Sequence, residues 1–210
     1  MIKVLIADDH PIVRQGLRQV LKETSDIVVA GEAGTGPETL DEVSKNNYDV
    51  VLLDISMPGR SGLDILRQLK IDNPELHVLI LSTYPEEQYA VRSLKDGAEG
   101  YLTKASVPDE LVAAIRKAAS GRKYVSSALA EKLAIDLNVN NQKPLHETLS
   151  DREYQVMCMI ASGKMAKEIA VELSLSVKTI STYRTRILEK MQMKNNAEIT
   201  LYAVKQGLVN

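Results

Sequence analysis

Three features of the chain predict an α/β fold, a doubly wound five-stranded parallel sheet, joined to a small all-α domain. Short apolar runs alternate with segments of helical period through residues 1 to 120. Those runs are apolar on both faces, which suits parallel strands buried between helix layers, and right-handed crossovers then wind the sheet in both directions. Beyond Leu149 only helical periodicity is present.

The strands are read at Val4 to Ala7, Ile27 to Ala30, Val50 to Leu53, Val78 to Leu81 and Gly100 to Leu102. After the first, Val13, Leu17, Val20 and Leu21 recur at helical spacing. Pro108 with Asp109 and Glu110 opens the last helix of this domain, because proline fits a first turn and carboxylates complement the dipole there. The domain closes near Ser120. Residues 121 to 147 form a linker, with a short helical stretch near Ala128 to Leu137 and a polar run from Asn138 to Pro144. Residues 148 to 210 make the second domain. Ser150 and Glu153 form a capping box ahead of Val156, Met157, Met159 and Ile160, and three more helical segments follow, one capped by Ser176. Met157, Cys158 and Met159 read as core packing.

Two domains suit 210 residues with 44% hydrophobic content. The single cysteine, Cys158, excludes an intrachain disulfide, and no run resembles a signal peptide or reaches membrane-spanning length. A cytoplasmic protein with no membrane partner is expected. Acidic residues outnumber basic ones over residues 1 to 120, and the balance reverses from 149 onward. A nucleic-acid partner for the tail fits that reversal, though so small an excess does not require one.

Polar groups stand where strands stop: Asp8 and Asp9 after the first, Asp54 after the third, Lys104 after the fifth. In a parallel sheet those ends share one edge, where open α/β sheets place their chemistry. Three carboxylates and one ammonium would converge and repel unless a hard cation joined them. Oxygen ligands from few side chains suit Mg2+ better than Zn2+ or an all-protein Ca2+ cage, and a phosphoryl group is the natural ligand for what remains.

Asp8-Asp9, Asp54 with Met57-Pro58-Gly59, Ser82, Tyr101 and Lys104 resemble a response-regulator receiver domain over about residues 1 to 120. The resemblance implies that Asp54 is the phosphoacceptor, that Asp9 binds Mg2+ directly, that Asp8 positions the metal and its water, and that the Ser56 carbonyl is a further ligand. It also implies that Ser82 donates its hydroxyl to the new phosphoryl oxygen while Tyr101 swings inward, a switch driven by a charge change. Two residues depart from the usual pattern. Ala105 replaces the proline often found after the lysine, and a cis bond without proline costs about 2.5–4 kcal/mol. Thr83 is bulkier than the usual small residue and should leave Tyr101 less room. Ser56 and Tyr84 stand where the family suggests that water's access to the phosphoryl group is gated, and a covering tyrosine ring predicts slow self-hydrolysis.

Leu149 to Glu153, Gly163 to Ala170 and Ser176 to Ile180 resemble the helix-turn-helix of the NarL/FixJ, LuxR-type regulators over about residues 148 to 208. At about 100° per residue, the second helix of that unit places Ile180, Ile187 and Met191 on one face, with Lys178, Thr182, Thr185 and Glu189 opposite and Ser181 and Arg186 flanking. Lys178, Ser181, Thr182 and Thr185 are the base-reading candidates, and Thr179, Arg186 and Lys190 the phosphate contacts. Arg184 falls nearer the apolar face and must extend sideways to serve. Tyr183 stands where the family often has histidine. Hydroxyls discriminate bases poorly, so phosphate contacts and DNA shape should dominate. The final helix, about Ala197 to Gln206, carries Ile199, Leu201, Tyr202 and Val204 around much of its circumference. The resemblance implies a dimer helix and a homodimer on two half-sites about 34 Å apart. Packing within its own domain is the alternative.

The function read from these residues is a DNA-binding regulator, phosphorylated on Asp54 by a sensor histidine kinase, with no enzymatic activity beyond self-phosphorylation and self-dephosphorylation. Double-stranded DNA is the second partner, and RNA polymerase a further candidate. A Mg2+-dependent phosphohydrolase would need an acid two residues after the nucleophile, where Ser56 stands. A dinucleotide-binding enzyme would need a glycine-rich turn in place of Asp8-Asp9-His10-Pro11. Neither accounts for the tail.

Overall fold

The computed structural model describes residues 1–106, 108–127, 129–131 and 144–209 and divides the chain into two compact units, Met1–Lys132 and Leu133–Asn210. Most of the helical stretch expected near Ala128 to Leu137, and the polar run up to Lys143, lie outside the described residues. No helix among the described residues is long and apolar enough to cross a membrane.

The first unit alternates strand and helix: β1 (Ile2–Ala7), α1 (Pro11–Lys22), β2 (Ile27–Ala33), α2 (Gly36–Lys45), β3 (Val50–Leu53), α3 (Gly62–Asp72), β4 (His77–Ser82), α4 (Glu86–Lys95), β5 (Gly100–Thr103) and α5 (Pro108–Ala119). All strand pairs are parallel, in the order β2-β1-β3-β4-β5. Helix starts follow local chemistry. Pro11 opens α1, the Thr35 hydroxyl caps α2 and the Ser61 hydroxyl caps α3.

Every side chain from Val4 to Ala7 and from Val50 to Leu53 is 1% exposed or less, so the sheet is covered on both sides. On one face Val4, Ile6, Val50, Leu52, Leu79 and Leu81 pack with Leu17 and Leu21 of α1 and Leu111 and Ile115 of α5. The alternate residues, such as Leu5, Val51 and Val78, point to the other face, where right-handed crossovers place α2, α3 and α4. β2 runs three residues past its expected end at Ala30. A register shift opposite Val4 and Leu5 lets it continue through Gly31 and Glu32, residues that read as a strand end in isolation.

The chain moves from β1 outward to β2 and then back past β1 to β3, which makes the carboxyl ends of β1 and β3 a topological switch point. Register does the rest. Ala7 lies opposite Leu53, and Ser82 opposite Thr103. The Asp54 N–H donates to the Ala7 carbonyl at 2.9 Å, and the Lys104 N–H to the Ser82 carbonyl at 2.7 Å. After α5 the chain returns to the sheet: the Tyr124 N–H donates to the Glu99 carbonyl at 2.7 Å, and Ser126 Oγ donates to Glu86 at 2.6 Å.

The second unit consists of a 3-10 turn (Leu145–Thr148) and the helices α6 (Asp151–Ala161), α7 (Ala166–Glu172), α8 (Val177–Lys190) and α9 (Asn196–Lys205). The capping box expected at Ser150 and Glu153 is formed in both directions, and the Ser176 hydroxyl caps α8. The turn between α7 and α8 places Ser174 at φ 53, so it is made without glycine. Ile169, Ile180, Ile187, Met191 and Ile199 fill the interior.

Candidate functional site

The carboxyl ends of β1, β3 and β5 bring Asp8, Asp9, Asp54 and Lys104 together as expected. Lys104 Nζ lies 2.8 Å from Asp54 Oδ2 and 2.7 Å from Asp8 Oδ2. The Ser56 N–H donates to Asp54 Oδ1 at 3.0 Å, and the His10 N–H to Asp8 Oδ1 at 2.8 Å. Asp8 and Asp54 are 2% and 1% exposed, which for carboxylates demands compensation. Lys104 is one positive charge among three negative ones. Asp8, Asp9, His10 and Asp54 each offer a ligand atom within 4.8 Å of the others, an arrangement able to coordinate a divalent metal ion.

Burial raises the Asp54 carboxyl above its ordinary value, against the opposing pull of Lys104 and the Ser56 N–H. For Lys104, burial acts to lower the ammonium, but Asp54 and Asp8 outweigh it, so the group is held above its ordinary value and stays charged. The pocket therefore retains an excess of negative charge that a cation would relieve.

Some supports of the site were not legible in the sequence. Arg14 donates to the Asp8 carbonyl at 2.7 Å and pairs with Glu32 at 3.0 Å, so α1 and the extended part of β2 both steady the first acid. A charged residue between Val13 and Leu17 reads simply as solvated. His10 Nδ1 lies 2.8 Å from Asp9 Oδ1. Gly62 opens α3 against the backbone of Asp54, where a Cβ would come within 2.3 Å of the Asp54 carbonyl oxygen and 2.6 Å of Ile55 Cα.

Ser82 is fully buried at the end of β4, and its hydroxyl accepts from the Tyr84 N–H at 3.1 Å. Tyr101 differs from expectation. It is already turned inward, 2% exposed, with its hydroxyl donating to the Tyr84 carbonyl at 2.8 Å. Thr83 does not crowd it, because Thr83 is exposed to solvent. The Tyr84 ring stacks on Tyr89 with centroids 5.0 Å apart. No cis peptide occurs among the described residues.

On α8, Ile180 and Ile187 are buried, while Lys178, Ser181, Thr182, Thr185, Arg186 and Lys190 are exposed and Thr179 is half-buried. Two basic residues are engaged within the unit. Arg184 Nε donates to Asn196 Oδ1 at 2.7 Å, which is where its sideways reach leads. Lys190 Nζ bonds Glu153 at 2.6 Å, tying α8 to the capping box of α6. Burial acts to raise Glu153, but Lys190 and the Ser150 groups outweigh it and hold the carboxyl below its ordinary value. On α9, Ile199 is fully buried, and Tyr202 hydrogen-bonds His146 Nδ1 at 2.9 Å, while Leu201 and Val204 remain 56% and 50% exposed.

Residues 4–116 match the response regulator receiver domain family, and residues 147–203 the bacterial regulatory proteins of the luxR family. Over 211 residues the chain is 36% identical to response regulator UvrY of Escherichia coli (strain K12), an alignment covering 100% of this chain and 97% of UvrY. It is 38% identical over 213 residues to response regulator GacA of Pseudomonas syringae pv. syringae (strain B728a), covering 100% and 99%. A solved structure of RcsB from Salmonella enterica serovar Typhimurium, bound to promoter rprA in the presence of phosphomimetic BeF3-, is similar with a TM-score of 0.65 and 27% identity over 97% of this chain and 99% of that one. A receiver followed by a luxR-type helix-turn-helix, matched along the whole chain, places this protein in the NarL/FixJ family of two-component response regulators, as a DNA-binding regulator.

Proposed function

We propose that Asp54 accepts a phosphoryl group from the phosphohistidine of a sensor histidine kinase, and that the phosphorylated chain controls transcription as a homodimer on DNA. The observation that carries this is the setting of Asp54, a carboxylate 1% exposed with Lys104 on one oxygen and the Ser56 N–H on the other. Its carboxylate oxygen attacks phosphorus as the P–N bond to the donor breaks, a displacement governed by positioning and charge neutralisation. Lys104 meets part of the charge on the phosphoryl oxygens. Lys104 lies 2.7 Å from Asp8 Oδ2 and His10 Nδ1 lies 2.8 Å from Asp9 Oδ1, so one ammonium serves both Asp8 and Asp54 and leaves oxygen donors under-compensated. Asp8, Asp9, Asp54 and the Ser56 carbonyl thus fit Mg2+, which when bound supplies the remaining positive charge. The Ser82 hydroxyl then turns to the phosphoryl oxygen, with Tyr101 packed behind it.

In the tail, Lys178, Ser181, Thr182 and Thr185 face base edges while Thr179 and Arg186 meet phosphates, with Lys190 joining them only by leaving Glu153. Leu201 and Val204, exposed on α9, supply a self-complementary apolar patch for the dimer. RcsB bound to promoter DNA, at comparable length and fold, supports this reading.

Asp54→Asn keeps the shape and removes the nucleophile. Intact-mass measurement after exposure to a small phosphodonor with Mg2+ should show the wild type labelled and the variant blank. Strong labelling of the variant at Asp8 or Asp9 would reject the assignment. Genome-wide DNA capture with both proteins then reports whether target occupancy depends on the phosphoryl group.

A further inference from the structure

The exposed side of α8 carries three hydroxyls, and all three protons are already committed. Ser181 Oγ donates to the Val177 carbonyl at 3.0 Å, Thr182 Oγ1 to the Lys178 carbonyl at 3.0 Å, and Thr185 Oγ1 to the Ser181 carbonyl at 3.1 Å. A hydroxyl has one proton and two acceptor lone pairs, so each of these oxygens presents only acceptors to a partner. The view that hydroxyls discriminate poorly assumes that they donate or accept at will. Here the helix removes that choice.

We infer that α8 reads DNA by acceptors and methyl groups, an inference that rests on α8 entering the major groove. In that groove adenine presents the N6 amino donor and cytosine the N4 amino donor, thymine presents its C5 methyl, and guanine presents only the acceptors N7 and O6. The oxygens of Ser181, Thr182 and Thr185 therefore take adenine or cytosine amino groups. The methyl groups of Thr182 and Thr185 pack on thymine methyls. Guanine facing these residues sets acceptor against acceptor and is excluded, leaving Lys178 as the donor on this half of the face able to take it.

The test uses the full chain, treated with a small phosphodonor and Mg2+, in selection of binding sites from random duplexes. Thr182→Val and Thr185→Val keep a methyl and remove the oxygen, and both positions are exposed, so the fold is retained. The wild type should select adenine, cytosine or thymine and avoid guanine at the positions its hydroxyls face, and each variant should lose that exclusion at one position. On the selected duplex, replacing a contacted adenine by purine, which lacks the amino group, should weaken wild-type binding roughly 2- to 12-fold, the range of one hydrogen bond. The same replacement should leave the matching valine variant unchanged. Selected sites whose composition is identical in wild type and both variants, or guanine selected opposite Thr182 or Thr185, would overturn the inference while leaving DNA binding by α8 in place. Selection of no site at all would overturn the groove reading and the inference with it.

Discussion

Asp8 after β1 and Asp54 after β3 are almost completely withdrawn from water, whereas Lys178, Ser181, Thr182, Thr185 and Arg186 along the outer side of α8 all face it. The difference separates two ways in which charge and hydrogen bonding become function. Buried carboxylates 1–2% exposed are not stable as bystanders and call for compensating positive charge, which Lys104 supplies in part and which a divalent cation could complete. Solvated side chains on a helix carry no such demand. Their role depends on which of their groups the protein has already used, as at Arg184, Lys190 and the three hydroxyls.

The contrast breaks most directly at Gly62. Adding a methyl group there drives a Cβ into the backbone of Asp54 and Ile55, and Gly62→Ala should cost about 1–3 kcal/mol through forced displacement. Thermal unfolding should show the loss in the first unit, with slower labelling of Asp54. An unchanged midpoint would mean that the loop after β3 yields easily.

On the exposed side the analogous comparison is between two arginines two residues apart. Arg186→Ala should lower the slope of log affinity against log salt by about 1, as expected for one lost phosphate contact. Arg184, held by Asn196, should give little change in slope when replaced by alanine. Equal slopes for the two variants would erase the distinction between engaged and disengaged cations.

Tyr84→Ala sharpens the first half of the comparison. If the ring covers the phosphoryl group despite its stacking on Tyr89, phosphate should be lost faster from the variant once the donor is removed. Decay at the wild-type rate would assign the ring to packing alone.

The smallest effect is expected at Lys190, whose partner Glu153 is shielded while the lysine itself is 43% exposed. Solvent on the lysine side screens the pair, and Lys190→Met should destabilise the second unit by about 0.2–1 kcal/mol. Because Glu153 is depressed in the folded state, this contribution is complete above the ordinary value of 4.5 and is lost as pH falls below it. Denaturant melts of wild type and variant should therefore differ at neutral pH and converge at acidic pH.

The sheet and its site were readable because apolar runs end in Asp8, Asp54 and Lys104, and parallel pairing carries all three to one edge. Helix caps at Ser150 and Ser176 were equally plain, since capping is local. What escaped was set by partners distant in the chain. Arg14 with Glu32, and Lys190 with Glu153, resemble any solvated charges until the fold brings them together. The inward position of Tyr101 is held by the Tyr84 carbonyl, a backbone group with no signature in sequence. On α9, periodicity could not divide an all-round apolar helix into Ile199, which fills the core, and Leu201 with Val204, which remain outside.

The return of the chain at Tyr124 bears on solubility. β5 is the last strand of the sheet, and a bare edge offers unpaired backbone groups to any neighbouring chain. Tyr124 pairs beside Gly100, whose missing side chain is what permits the approach, since a Cβ there would fall 2.7 Å from the Tyr124 carbonyl oxygen. A receiver fragment cut at Ser120 loses this cover and should scatter light progressively as its open strands associate. One extended through Glu131 keeps the strap and should stay clear.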